Sequence, residues 1–116
     1  AKRSPRLRMN YDLRTSSADT SQRILNAIEP GSVVPIHRHK RTSETVVVLR
    51  GRVVEEYYDD AGMCYERVEI ASCSSVCALD IPADTWHTLR SIESGTVILE
   101  MKDGAYESIK PEDILE

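Results

Sequence analysis

From Gln22 to Met101 the chain is a succession of short apolar runs separated by Gly, Pro and Asp turns. No stretch keeps a helical repeat for more than a turn or two. QRILNAIE (22–29) is the first candidate strand. It closes on Pro30-Gly31, a pair suited to a type II turn, because Pro fixes φ at the second position and Gly supplies positive φ at the third. SVVPIHRH (32–39) follows as a short strand, and KRTS makes a polar break. ETVVVLR (44–50) carries a fully apolar VVVL run, and RVVEEYY (52–58) returns antiparallel across Gly51. Asp59-Asp60-Ala61-Gly62 has the composition of a hairpin loop, with MCYERVEI (63–70) as its second arm. VCALDI (76–81), WHTLRSI (86–92) and TVILEM (96–101) bring the number to about eight.

Short strands at such regular spacing predict an all-β barrel or sandwich. The VVVL run requires cover on both faces. The barrel interior supplies one cover. The other must come from a second sheet, an N-terminal strand of the same chain, or a partner subunit, and a homodimer is the expectation. The division expected is an N-terminal segment (1–21) packed on the barrel, a barrel (22–102), and an irregular tail (103–116) that is polar and holds Pro111.

Composition narrows this picture. The 116 residues suffice for one core, which must be aliphatic because there is no Phe and one Trp. No apolar run approaches the roughly 20 residues of a membrane helix. A formal charge of −4 argues against nucleic acid as a partner. Positive charge is still uneven: Lys2, Arg3, Arg6 and Arg8 cluster at the start, and Arg38, Lys40 and Arg41 surround a histidine pair. Such clusters are usually solvated faces, but a basic rim would also attract a small anion. The chain begins at Ala1 rather than Met, so residues ahead of it are expected in the native protein. With no apolar leader in AKRSPRLRMN and an odd cysteine count (Cys64, Cys73, Cys77), reduced thiols and a cytoplasmic location are expected. The cysteines have no local signature of a nucleophile or zinc knuckle and read as small packing residues.

The chemistry centres on GSVVPIHRHKRTSETVVVLRG (31–51). Strand alternation puts His37 and His39 on the same face. Glu44, with Val46 and Val48, then points inward from the next strand, and His87, with Leu89, from WHTLRSI. An isolated H-x-H is more often a polar loop than a metal site. Here the spacing Gly31-x5-His37-x-His39-x4-Glu44-x6-Gly51 resembles the first signature of the cupin superfamily at every defined position. The second signature is matched at Pro82 and His87, but Val76 and Asp84 stand where glycines are usual and Ser91 where Asn is. Over most of its length the chain further resembles the small single-domain WbuC family of cupin-fold metalloproteins, in SPRLRMNYDLR (4–14), QRILNAIEPG (22–31), VVLRGRV (47–53) and IPADTWHTL (81–89).

This resemblance implies a double-stranded β-helix, or jelly-roll barrel, that holds one divalent transition metal ion on His37, His39, Glu44 and His87. It further implies that Arg8 and Asn10 approach the metal pocket and that Arg23 and Asn26 line the barrel. Strand parity disagrees on the last pair, since Arg23 and Asn26 face opposite ways unless a bulge intervenes. Three imidazoles and a carboxylate suit Fe, Mn, Ni, Co, Cu or Zn, and leave about two positions open on a six-coordinate ion. The family's association with surface-polysaccharide gene clusters implies sugar chemistry on a small polar, sugar-like or anionic metabolite. Isomerase or epimerase chemistry with the metal as Lewis acid is the leading expectation. An Fe- or Mn-dependent dioxygenase and a non-catalytic metal-dependent binding protein are the alternatives. A metal-free epimerase is disfavoured because no histidine is left over as a base, and none of the five tyrosines is marked as an acid by its spacing. A Ser-His-Asp hydrolase has no nucleophile elbow to support it.

Overall fold

The ETVVVLR segment forms a strand in which Glu44, Val46 and Val48 are buried while the residues between them are not, as period-two alternation requires. The structure, a computed structural model that describes residues 3–115, builds two five-stranded antiparallel sheets around that inward row. The strands are β1 (Arg8–Asp12), β2 (Ser21–Ile28), β3 (Ile36–His37), β4 (Glu44–Arg50), β5 (Arg52–Tyr58), β6 (Cys64–Ala71), β7 (Ala78–Ile81), β8 (Trp86–Ser91), β9 (Thr96–Asp103) and β10 (Ile114–Leu115). One sheet has the order β1-β2-β9-β4-β7, the other β10-β3-β8-β5-β6. Ile28, Val46, Val48, Val53, Tyr57, Ile70, Ile81, Leu89 and Ile98 meet between the sheets as a largely aliphatic core.

Turn chemistry sets where the chain folds back. Gly51 joins β4 to β5 with φ +85°, and a Cβ there would lie 2.7 Å from the Thr96 Cα, so the position takes only glycine. Asp84 occupies a place where a glycine is usual, and it does so with φ +58°, a conformation Asp tolerates better than most residues. Its N–H donates to the His39 carbonyl at 2.8 Å, tying the turn before β8 to the histidine pair. Ser91, in the place of the usual Asn, is buried and donates its hydroxyl to the Glu93 carbonyl at 2.8 Å.

Three expectations change. The strand expected over 32–39 shrinks to Ile36–His37, since residues 32–35 run irregularly up to Pro35, which has no N–H to give. Within the N-terminal segment, Arg8–Asp12 is a true edge strand paired to β2. The tail is not wholly irregular: a 3-10 turn at Pro111–Asp113 leads into β10, which pairs with β3, and the Arg38 N–H donates to the Asp113 carbonyl at 3.0 Å. Residues 104–113 thereby cross the open end of the barrel as a strap.

Candidate metal centre

The pairing of β3 with β8 sets His37 opposite His87, their ring centroids 4.4 Å apart. His39 lies just beyond β3, its ring 5.1 Å from that of His37. Glu44 reaches in from the other sheet, with Oε1 3.3 Å from His39 Nε2 and 3.9 Å from His87 Nε2. One donor atom from each of the four residues lies within 4.8 Å of all the others.

Hydrogen bonds aim the rings. His37 Nδ1 sits 2.8 Å from the Pro35 carbonyl, which can only accept, so that nitrogen carries the proton and Nε2 is left bare. His87 Nδ1 is 2.7 Å from Oε1 of the fully buried Glu55, which turns Nε2 toward Glu44. Burial and the charges of Glu44 and Glu56 push the Glu55 carboxyl up to about 9, so a proton is retained in this pair. Burial, with His87 nearby, takes His37 down to about 4, and burial takes His87 down to about 4. Burial alone would raise Glu44, but the His39 ring 3.3 Å away and the positive charge of Lys102 hold its carboxyl below the usual range. Neutral imidazoles beside an ionised carboxylate are the protonation state a metal ion requires.

The polar atoms left over test the fit. His39 Nε2, His87 Nε2 and Glu44 Oε1 are all buried and have no hydrogen-bond partner among the described residues. Groups of this kind normally cost about 1–3 kcal/mol each when unsatisfied. Three of them converging on one point is what a site built for a cation presents. The donor set, nitrogen with one anionic oxygen and no thiolate, suits a divalent ion and does not select among the transition metals.

The cluster opens into a cavity of about 1060 Å³. Its wall on the β1–β2–β9 side is polar, because Asn10 lies beside Asn26, and Gln22 beside Lys102, in register across those strands. Asn26 Nδ2 donates to Glu100 Oε1 at 3.2 Å, and Lys102 Nζ lies 3.9 Å from Glu44 Oε1. Burial and the neighbouring Glu44 raise the Glu100 carboxyl to about 7. Arg6, Arg8 and Arg41 lie on the rim, and the strap from Gly104 to Asp113 closes one side. Arg38 anchors the strap, with Nε 3.0 Å from Asp113 and its guanidinium 4.3 Å above the Trp86 ring.

Of the other residues singled out in the sequence, Arg8, Asn10 and Asn26 line the cavity. Arg23 does not. No bulge interrupts the pairing of β2 with β9, so Arg23 takes the opposite face and pairs with Asp19 at 2.9 Å. Glu55, Glu100 and Lys102 went unnoticed in the sequence. Alternation through TVILEMKD would have found the last two, since it puts Ile98, Glu100 and Lys102 in one inward row with Glu44 and Val46.

Solved structures with the same architecture include oxalate oxidase in complex with glycolate (13% identity, TM-score 0.73, 95% of this chain and 57% of that one). KdgF from Halomonas sp. is similar at 14% identity and TM-score 0.69, over 90% of this chain and 85% of that one. The Lactobacillus farciminis oxalate decarboxylase formate complex is similar at 16% identity and TM-score 0.68, over 88% and 30%. The chain thus spans little more than half the length of the oxalate oxidase. The fold is that of the cupins, and it carries a His/Glu cluster that could hold a metal ion. More narrowly, the chain belongs to the family described as a domain of unknown function, DUF6016, whose profile matches residues 1–70. No curated protein matches the sequence.

Proposed function

We propose that this cupin is a metal-dependent enzyme acting on a small polar, sugar-related and anionic metabolite by isomerase- or epimerase-type chemistry. The observation that carries the reading is the placement of unpartnered His39 Nε2, His87 Nε2 and Glu44 Oε1 at the floor of a cavity that also holds a carboxyl and an amine, Glu100 and Lys102. A divalent ion held by His37, His39, Glu44 and His87 would supply Lewis acidity toward a carbonyl or hydroxyl oxygen. The chain's own part is positional and acid–base. Glu100, oriented by Asn26, is the group to take a proton from a carbon beside a carbonyl and return it to the neighbouring carbon. Lys102 and the rim arginines Arg6, Arg8 and Arg41 favour a negatively charged substrate. The resemblance to the WbuC family supports a sugar-related substrate in polysaccharide biosynthesis.

The similarity to oxalate oxidase, seen in complex with glycolate, favours a second reading, an Fe- or Mn-dependent oxygenase acting on a small chelating carboxylate. One experiment separates the two. Protein loaded with Mn, Fe, Zn or Ni is incubated in D2O with aldoses, ketoses and sugar acids, with proton NMR and an oxygen electrode as readouts. Deuterium entering a carbon-bound position without oxygen uptake supports the isomerase, and oxygen uptake the oxygenase. Neither signal with any metal, together with ligand-induced stabilisation, would sink both in favour of a non-catalytic binding protein.

A further inference from the structure

Two of the four clustered residues sit on one short segment, His37-Arg38-His39-Lys40, and the strap grips that segment from the side away from the cluster. Arg38 Nε donates to Asp113 Oδ1 at 3.0 Å, and Lys40 Nζ lies 3.5 Å from the same oxygen. The two cations bracket His39 in the chain, so a single carboxylate holds both of its neighbours. That carboxylate is 13% exposed, which leaves its pairs less screened than those of an open surface. The backbone repeats the pattern. The Arg38 N–H donates to the Asp113 carbonyl at 3.0 Å, and Arg38 Nη2 donates to the Glu112 carbonyl at 3.4 Å. β3 has one paired position on β8, His37 with His87. It has two on β10, His37 with Ile114 and Ile36 with Leu115. In ladder positions the C-terminal segment therefore holds β3 more extensively than the neighbouring barrel strand does.

We infer, on the reading that His37, His39, Glu44 and His87 hold a metal ion, that Asp113 is a positioning residue for that ion. It acts through Arg38 and Lys40, and it couples docking of the strap to metal binding. The physical reason is preorganisation. An ion needs His37 and His39 at one fixed spacing, and ordering a loose segment at the moment of binding lowers affinity. The docked strap imposes that order beforehand. Coupling of this kind is reciprocal, so the factor by which the docked strap raises metal affinity is the factor by which metal favours docking. Losing a direct hydrogen-bond partner of a ligating histidine lowers affinity about 10–100-fold, and Asp113 acts one residue removed, so the lower end, about 10-fold, is expected. Since the strap closes one side of the cavity, metal loading also holds that side shut.

Two measurements on the whole chain test this. Competition with a chromophoric chelator gives Zn affinity, which should fall about 10-fold in Asp113→Ala. Asp113→Asn keeps an oxygen for Arg38 Nε and should recover part of the loss. Arg52→Ala breaks an ion pair of 2.8 Å with Glu69, remote from the strap, and should bind Zn as wild type does. The second measurement needs no variant. Chymotrypsin cuts after Tyr106, and cleavage tracks the fraction of molecules whose strap has come away. Saturating Zn should slow that cut about 10-fold in wild type relative to excess chelator, by reciprocity, and much less in Asp113→Ala. Equal Zn affinity in wild type and Asp113→Ala, or a wild-type cleavage rate that Zn leaves unchanged, would overturn the coupling while the metal centre stood. A wild-type chain that takes up no divalent metal would overturn both.

Discussion

Glu55 is the residue whose replacement separates a metal site from a merely polar core. Its carboxyl group is fully buried and 2.7 Å from His87 Nδ1, and His87 is itself 2% exposed. Glu55→Gln keeps the volume, the neutrality of a carboxyl raised to about 9, and an oxygen that can accept the Nδ1 proton. Glu55→Ala removes the partner and leaves a cavity. An unsatisfied buried donor costs about 1–3 kcal/mol in stability. Partners of this kind orient metal-binding histidines, and losing one lowers metal affinity about 10–100-fold, or about 1.4–2.8 kcal/mol. The expected order is therefore a small loss of affinity for Glu55→Gln and the full 10–100-fold loss for Glu55→Ala. Competition with a chromophoric chelator reads affinity, and urea unfolding in excess chelator reads stability alone. If Glu55→Ala lowered stability while Zn affinity stayed at the wild-type value, His87 would not be a ligand positioned by Glu55, and the reasoning would fail.

Two further outcomes follow from the fold. Ile98 is fully buried on β9 between the sheets, so Ile98→Ala should lower unfolding free energy by about 2–5 kcal/mol in urea titration, with the denaturant slope unchanged. Asp113 holds the strap through Arg38 at 3.0 Å and Lys40 at 3.5 Å; Asp113→Ala should speed proteolysis within residues 104–110 several-fold and leave the midpoint of global unfolding within a few degrees.

Most of the barrel is legible in the sequence because its interior is apolar, so alternation marks which face each strand buries. It fails where the interior is polar. In β1 the cavity-facing residues are Arg8, Asn10 and Asp12, and the apolar Met9 and Tyr11 face out, the reverse of the usual pattern. Such a strand reads as a loop. β10 is two residues long and is specified by what it pairs with, β3, rather than by its own pattern. The four clustered residues were visible through their spacing, which the fold converts into proximity. Glu55 was not, because Glu55 and Glu56 look alike in RVVEEYY although one is sealed beside His87 and the other binds Arg67 on the outer face. For Arg23, strand parity is the better guide than the family resemblance.

The most direct measurement is the metal stoichiometry of the whole chain after reconstitution with Mn, Fe, Ni and Zn and removal of free ion, by elemental analysis, beside His37→Ala and Glu44→Gln. The account predicts one ion per wild-type chain and substantially less in both variants, each still folded by circular dichroism. A wild-type chain that takes up none of these metals, or variants that bind as much as it does, would contradict the account.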